Sequence, residues 1–380
     1  MAKNRSQKKA GRLAFETNIF DSLVDPIVLI DEFCRVVDAN VSAEELLGLD
    51  GKGSELAAYL NASEVLTDVR KVLRSGRSQI GQFTLPPPIG RIFEYRATPL
   101  VPRAPRKSPW AILVLHDVTE ANKTQQMRED FVVNVSHELR SPLSSLIGLL
   151  ETLSGPARND AAVWDRFLTI MTEEANRMKR LVNDLLVLSK VEAEEHIPPT
   201  DSVDPVAIVE QAAEVLNLGA TDGEDRIKVD VRGAFEPLVG SSDLLLQVFL
   251  NLLSNALAYG DSDGAVEAKI RRQKREDQGG KTWVSITVTN RGDGIPAEHI
   301  PRLTERFYRV DKARSRQAGG TGLGLAITKH IVGRHRGRLL IESSREERKT
   351  TVTVLLPDEK PSIKKETPDQ RKQNGRRESV

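Results

Sequence analysis

Apolar residues recur every three or four positions along two long stretches of this chain, Ala121 to Leu153 and Ala161 to Glu192. In the first, Phe131, Val135, Leu139, Leu143, Leu146, Leu150 and Leu153 share one stripe; in the second, Phe167, Met171, Met178, Leu181, Leu185 and Leu188 do. That period predicts two amphipathic helices. Gly155 and Pro156, in SGPARND, break the run between them and make the pair an antiparallel hairpin. One hairpin cannot bury both stripes alone, so two copies are expected to close a four-helix bundle, and a homodimer follows from the pattern. A hairpin packed on another domain of its own chain is the alternative.

Ahead of the hairpin the patterns are short. A helix is expected near Ala14 to Leu23, strands at 27–31 (IVLID) and 36–40 (VVDAN), then the helix SAEELLG. Further strands are expected at Gln79 to Leu85, Arg91 to Pro99 and Trp110 to His116. Beyond the hairpin, Ile197 to Thr200 carries two prolines and reads as a hinge, and a helical run begins near Leu244. Residues 1–12 and the charged, Pro-interrupted segment 358–380 are expected to be disordered.

Composition narrows the classes. In 380 residues, 55 Lys and Arg stand against 54 Asp and Glu, so the overall charge of +1 gives no argument for nucleic-acid binding. The single cysteine, Cys34, rules out a disulfide framework and suits a reducing compartment. No apolar run approaches the ~20 residues needed to span a bilayer. The expected location is the cytoplasm, with any membrane contact made through the basic N-terminal tail or through a segment upstream of Met1.

The most informative stretch lies inside the first helix, where Ser136 to Leu143 read SHELRSPL. His137 is two positions from both Val135 and Leu139, which turns it about 200° from the apolar stripe and into solvent. An exposed neutral imidazole beside the Glu138 carboxylate is a nucleophile with a base next to it. A surface histidine without a role is the plainer reading, and it is outweighed by four segments downstream.

The first segment, Asn251 to Gly260 (NLLSNALAYG), puts Asn251 and Asn255 on one helical face, where neutral amide oxygens could complete a hydrated magnesium shell around a polyphosphate. The second, VTNRGDGIP, runs a strand into Gly292 and Gly294. The third is ERFYRVD, Glu305 to Asp311. The fourth, Gly319 to Ile327 (GGTGLGLAI), leads into a helix from Leu325 to Val332. Glycines 319, 320, 322 and 324 leave room for backbone amides to approach phosphate, at the positive N-terminus of that helix.

With these segments in this order, the chain resembles a two-component sensor histidine kinase over roughly residues 15 to 357. RLTERFYRVD and GTGLGLAITKHIVGRHRGRL are most similar to phosphate-regulon sensor kinases of proteobacteria. DPIVLIDEFCRVVDANVSAEELLG and HDVTE resemble the opening and closing signatures of a PAS domain. The resemblance implies an α+β multidomain chain: a basic tail at 1–12, a PAS-like sensory domain at 13–120, a dimerisation and phosphotransfer hairpin at 121–196, a Bergerat-type α/β ATP-binding sandwich at 202–357 and a charged tail at 358–380. His116 is a lone strand histidine, and a haem or metal role for it is disfavoured.

The resemblance also implies roles. His137 would take the γ-phosphoryl of ATP, Glu138 would relay or accept its ring proton, and Ser141 stands where relatives carry a threonine that orients water in dephosphorylating the partner regulator. Asn255 would be the chief magnesium ligand, Asn251 its support, and Tyr259 would pack near the ribose and phosphates. Arg309 would touch the γ-phosphate, with 310–319 as a mobile lid. Asn290, Gly292 and Gly294 would meet the adenine end; Gly320, Thr321, Gly322, Leu323, Gly324 and Leu325 would cradle the phosphates. The partners implied are a second copy and a response regulator whose aspartate receives the phosphoryl group.

Two positions depart from the family pattern. Asn290 stands where an aspartate accepts a hydrogen bond from the adenine amino group, and Ala258 replaces a lysine or arginine that reaches phosphate; Lys312, Arg314 and Arg316 are the candidates to substitute. An active kinase is the favoured class. A degenerate kinase acting as a dimeric scaffold is the alternative those positions motivate, and an unrelated ATPase of the same fold is disfavoured because such chains lack SHELRSPL.

Overall fold

The structure, a computed structural model, describes residues 19–49, 53–86, 90–100, 110–155, 160–218, 225–275, 281–311 and 320–358. Both expected tails, apart from Asp358, lie outside the described residues, as do residues 14–18, the first half of the first expected helix. The chain divides into two compact units, Met1–Val133 and Asn134–Val380.

In the first unit, β1 (Ile27–Ile30), β2 (Val36–Ala39), β3 (Gln79–Thr84), β4 (Ile92–Leu100) and β5 (Trp110–Asp117) form one antiparallel sheet in the order β2-β1-β5-β4-β3. The expected strands are all present. Between β2 and β3 lie α1 (Val41–Leu47), α2 (Leu56–Tyr59) and α3 (Ser63–Ser75). Alternate residues Val28 and Ile30, Phe93, Tyr95 and Ala97, and Ala111, Leu113 and Leu115 are buried, as a sheet with one covered face requires. The cover includes Val65, Val69 and Val72, one stripe of α3. Asn40, wholly buried, caps α1 by accepting from the Ala43 amide and donates to the Leu23 and Asp25 carbonyls, so its burial leaves no polar group unmet. His116 is exposed and its Nδ1 pairs with Asp25 at 3.0 Å; the Asp25 hydrogen bond and charge hold the imidazole above its ordinary range.

The long helix α4 (Thr119–Ser154) and its partner α5 (Ala161–Ala193) fulfil the hairpin expectation, with Asp160 capping α5 through the Ala162 and Val163 amides. The stripes are only partly covered. Leu153, Leu181 and Leu188 are buried, whereas Leu143, Ile147, Leu150, Val182 and Leu186 stay exposed.

The rest of the second unit is an α/β sandwich. β7 (Ile227–Arg232), β9 (Val266–Arg275), β10 (Lys281–Arg291), β11 (Arg338–Ser344) and β12 (Lys349–Pro357) run in the order β11-β12-β10-β9-β7, antiparallel except for the parallel pair β7 and β9. A two-stranded ribbon joins β6 (Ser202–Val203) to β8 (Leu238–Val239). Three helices complete the sandwich: α6 (Pro205–Leu218), α7 (Ser242–Tyr259) and α8 (Gly324–Arg334). Leu245, Val248, Phe249, Leu252, Leu253 and Ala256 on α7, with Ala326, Ile327 and Ile331 on α8, are buried along with Ala268, Ile270, Val284, Ile286 and Val288 of the sheet. This packing fixes the polar residues of α7 at the rim of the site. No helix among the described residues is long and apolar enough to cross a membrane.

Candidate functional site

Because the apolar residues of α7 face the sheet, Asn251 and Asn255 emerge at its edge, both half-buried. Asn251 Nδ2 donates to the hydroxyl of Thr328, a wholly buried residue of α8, at 2.9 Å. A Cβ at position 324 would overlap the Asn251 amide, so Gly324 is what lets the start of α8 close on α7. Phosphate clearance is therefore not the only reason for that glycine.

The end of α7 meets the end of β10 in the same way. A Cβ at Gly292 would lie 2.7 Å from the Tyr259 carbonyl, and the Asp261 amide donates to the Arg291 carbonyl at 2.8 Å. Tyr259 is part-exposed here. Asn290, the penultimate residue of β10, is half-buried and pairs across the sheet with Thr350. Its Nδ2 makes a long, weak contact of 3.4 Å with the Arg291 carbonyl. Gly294 follows in a left-handed turn, φ 70°.

The third and fourth segments cross. The Phe307 amide donates to the Gly322 carbonyl at 2.8 Å, and Phe307 itself is left-handed at φ 63°, a conformation that costs a bulky residue energy and that the crossing holds in place. The Arg309 guanidinium, only 5% exposed, donates to the Gly320 carbonyl. Leu323 is buried, and its amide meets the Thr321 hydroxyl at 3.3 Å. The first turn of α8, at Gly324 and Leu325, has no side-chain cap, which leaves its amides for another acceptor. Residues 312–319, with Gly319, Lys312, Arg314, Arg316 and most of the expected lid, lie outside the described residues.

On the hairpin His137 is exposed, and so is Ser141. Glu138 is half-buried; its Oε2 lies 2.8 Å from Arg177 of α5 and 3.6 Å from Arg309. Arg309 thus links the glycine-rich loop to the residue beside His137. Pro142 sits inside α4 and has no amide hydrogen for the Glu138 carbonyl, which interrupts the helical ladder next to the histidine.

Asp184, Glu192, Glu194, Arg334 and His335 carry no signal in the sequence that marks them for this site. Thr321 donates to Asp184 of α5 at 2.7 Å, Arg306 pairs with Glu192 at 2.6 Å, and Arg334 pairs with Glu194 at 2.8 Å. Buried His335 accepts the Ser241 amide at Nε2 and donates from Nδ1 to the Ile331 carbonyl, which fixes its neutral tautomer. Burial holds its pKa below the ordinary range. The ring joins the first turn of α7 to the last turn of α8.

The donor set suits a magnesium nucleotide. Asn255 offers a hard amide oxygen one turn beyond Asn251, the residue that packs against the start of α8, and such a ligand suits an ion that keeps its waters and phosphate ligands. Among the described residues no group of three or more His, Cys, Asp or Glu is arranged to hold a metal by itself.

Comparison with known proteins agrees with this geometry. Residues 240–360 match the family described as histidine kinase-, DNA gyrase B- and HSP90-like ATPase, residues 127–194 the His Kinase A (phospho-acceptor) domain, and residues 15–78 the PAS domain. The phosphate regulon sensor protein PhoR of Pseudomonas aeruginosa is 42% identical over 238 residues, covering 61% of this chain and 51% of that protein. The sensor protein kinase WalK of Staphylococcus saprophyticus is 39% identical over 248 residues, covering 65% of this chain and 39% of that protein. The chain therefore spans about half, or less, of the length of these curated relatives. A crystal structure of the histidine kinase ThkA in complex with the response regulator TrrA aligns with 90% of this chain and 98% of its own, at 19% identity and a TM-score of 0.47. A PAS domain, a phospho-acceptor domain and a histidine kinase-like ATPase domain therefore follow one another along the chain, a set that the two-component sensor histidine kinases combine.

Proposed function

We propose that the chain is an ATP-dependent protein-histidine kinase that phosphorylates its own His137 and passes the phosphoryl group to an aspartate of a response regulator. The observation that carries this reading is Arg309, which contacts the Gly320 carbonyl of the glycine-rich loop and lies 3.6 Å from Glu138, next to His137. One side chain spans the phosphate end of the sandwich and the acceptor.

In this mechanism the exposed imidazole attacks the γ-phosphorus in line, the bond to the β–γ bridging oxygen breaks, and ADP leaves. Glu138 takes or relays the proton from the other ring nitrogen. Arg309 offsets charge on the transferring group, and the Gly320–Leu325 amides at the α8 N-terminus hold the phosphates. Magnesium, held through Asn255 with Asn251 in support, would neutralise phosphate charge. Tyr259, Asn290, Gly292 and Gly294 form the nucleoside end. Ser141, one turn after His137, keeps the hydroxyl needed to orient a water in dephosphorylating the regulator. The exposed leucines of the hairpin support a homodimer, and the likeness to PhoR supports phosphate as the sensed condition. The cytoplasm, including its membrane face, is the proposed location.

Incubation with γ-labelled ATP tests the reading. Acid-labile, base-stable label is expected on the parent and absent from His137→Gln; label of that kind on the variant would overturn the assignment.

A further inference from the structure

Arg177 stands on α5 opposite the acceptor and is not part of the chemistry just described. Its Nη2 meets Glu138 Oε2 at 2.8 Å, and its Nη1 lies 3.7 Å from Glu174, one turn earlier on its own helix. The Arg177 and Glu138 side chains are 14% and 27% exposed, so the pair is largely withdrawn from the solvent that screens surface ion pairs. Arg309 approaches the same Oε2, and the neighbouring titratable side chains on the element itself are His137 and Arg140. A glutamate has several rotamers of similar energy, and here the backbone ladder is already interrupted by Pro142. The direction of the carboxylate therefore has to be set from the facing helix. A guanidinium presents separate nitrogens to the two carboxylates at a fixed spacing, whereas a lysine ammonium supplies the charge without that fixed geometry.

We propose that Arg177 is a positioning residue that fixes the Glu138 carboxylate beside His137 for phosphoryl transfer. The proposal rests on the kinase reading above. Arg177 touches no reacting atom; it acts through Glu138.

The test measures initial rates of His137 labelling in the full chain against ATP concentration. Arg177→Met is expected to lower kcat about tenfold, a part of the roughly 10²–10⁴-fold that a positioned acid–base group supplies, with KM for ATP unchanged. Arg177→Lys, which keeps the charge without the fork, should recover part of the loss. In a Glu138→Gln background, Arg177→Met should add nothing further. Thermal melts and sedimentation of each variant identify any loss due to unfolding. The proposal is overturned if Arg177→Met labels like the parent, if its effect persists undiminished without the Glu138 carboxylate, or if Lys is no better than Met. A parent that takes no label would overturn the kinase reading and this proposal with it; a labelled parent with an indifferent Arg177→Met overturns the proposal alone.

Discussion

The hydroxyl of Thr321 donates a 2.7 Å hydrogen bond to the carboxylate of Asp184, tying the glycine-rich loop to helix α5 of the hairpin. Burial pushes the Asp184 carboxyl above its ordinary range, and the Thr321 bond and the Arg180 charge only partly oppose that. A raised carboxyl contributes stability that is full below the unfolded value near 3.8 and lost as pH rises through the folded one. At neutral pH the charge therefore works against the contact. Asp184→Asn, which keeps an acceptor and removes the charge, is expected to raise the melting temperature at neutral pH. Thr321→Val, which leaves the carboxylate without its donor, should lower stability by about 1.5 kcal/mol, the low end for bonds to charged groups. Calorimetric scans of the three proteins check both signs, and identical melts would show that the contact does not persist in solution.

Much of this architecture was legible beforehand because burial imposes a period. Phe93, Tyr95 and Ala97 alternate with Glu94 and Arg96 in the sequence because the sheet has one covered face, and the break between the hairpin helices is marked by Gly155 and Pro156. The two asparagines of α7 were placed together by their spacing alone. Thr321 and Asp184 are 137 residues apart and Arg177 and Glu138 are 39 apart, and no period connects them. A polar residue on an amphipathic helix reads as solvated until its partner is known. The stripe of the hairpin was also drawn too simply. Leu153, Leu181 and Leu188 are buried within the single chain, and the face left over is set by Leu143, Ile147, Leu150, Val182 and Leu186.

That leftover face predicts where the dimer forms. Leu186 is 65% exposed and Leu150 is 50% exposed in the single chain, and burying a leucine contributes about 1.5–3 kcal/mol. Leu186→Glu or Leu150→Glu should weaken self-association by about tenfold or more. Sedimentation of the full chain over a concentration series reads this directly. A parent that stays monomeric throughout would rule out the bundle.

His335 predicts an acid-side weakness of the sandwich. Its neutral ring holds the Ser241 amide and the Ile331 carbonyl, and burial lowers its pKa below 6.5. Stability from a lowered histidine is full above the unfolded value and is lost as pH falls toward the folded one. Melting temperature should therefore drop as pH is taken below about 6.5. The drop should be smaller in His335→Gln, which starts less stable but carries no titrating group. Equal pH dependence in the two proteins would mean that other groups govern acid sensitivity.

The resemblance implies an aspartate where this chain has Asn290, and the placement of that residue makes the consequence measurable. It is held at the end of β10 opposite Thr350, beside the close approach of Gly292 to Tyr259, and its amide has only a 3.4 Å contact with the Arg291 carbonyl. An amide oxygen there would accept from an adenine amine as a neutral group, worth roughly 0.5–1.5 kcal/mol, whereas a carboxylate would contribute roughly 1.5–3. Asn290→Asp should then tighten ATP binding by about 1 kcal/mol, or roughly fivefold. The gain should shrink for an analogue lacking the exocyclic amine, because the carboxylate then has no donor to meet. A scaffold without nucleotide affinity behaves differently: ATP stays undetectable by calorimetric titration, and one substitution does not restore labelling of His137. Equal affinities in parent and variant would place Asn290 away from the adenine, and the second glycine segment would have to be realigned.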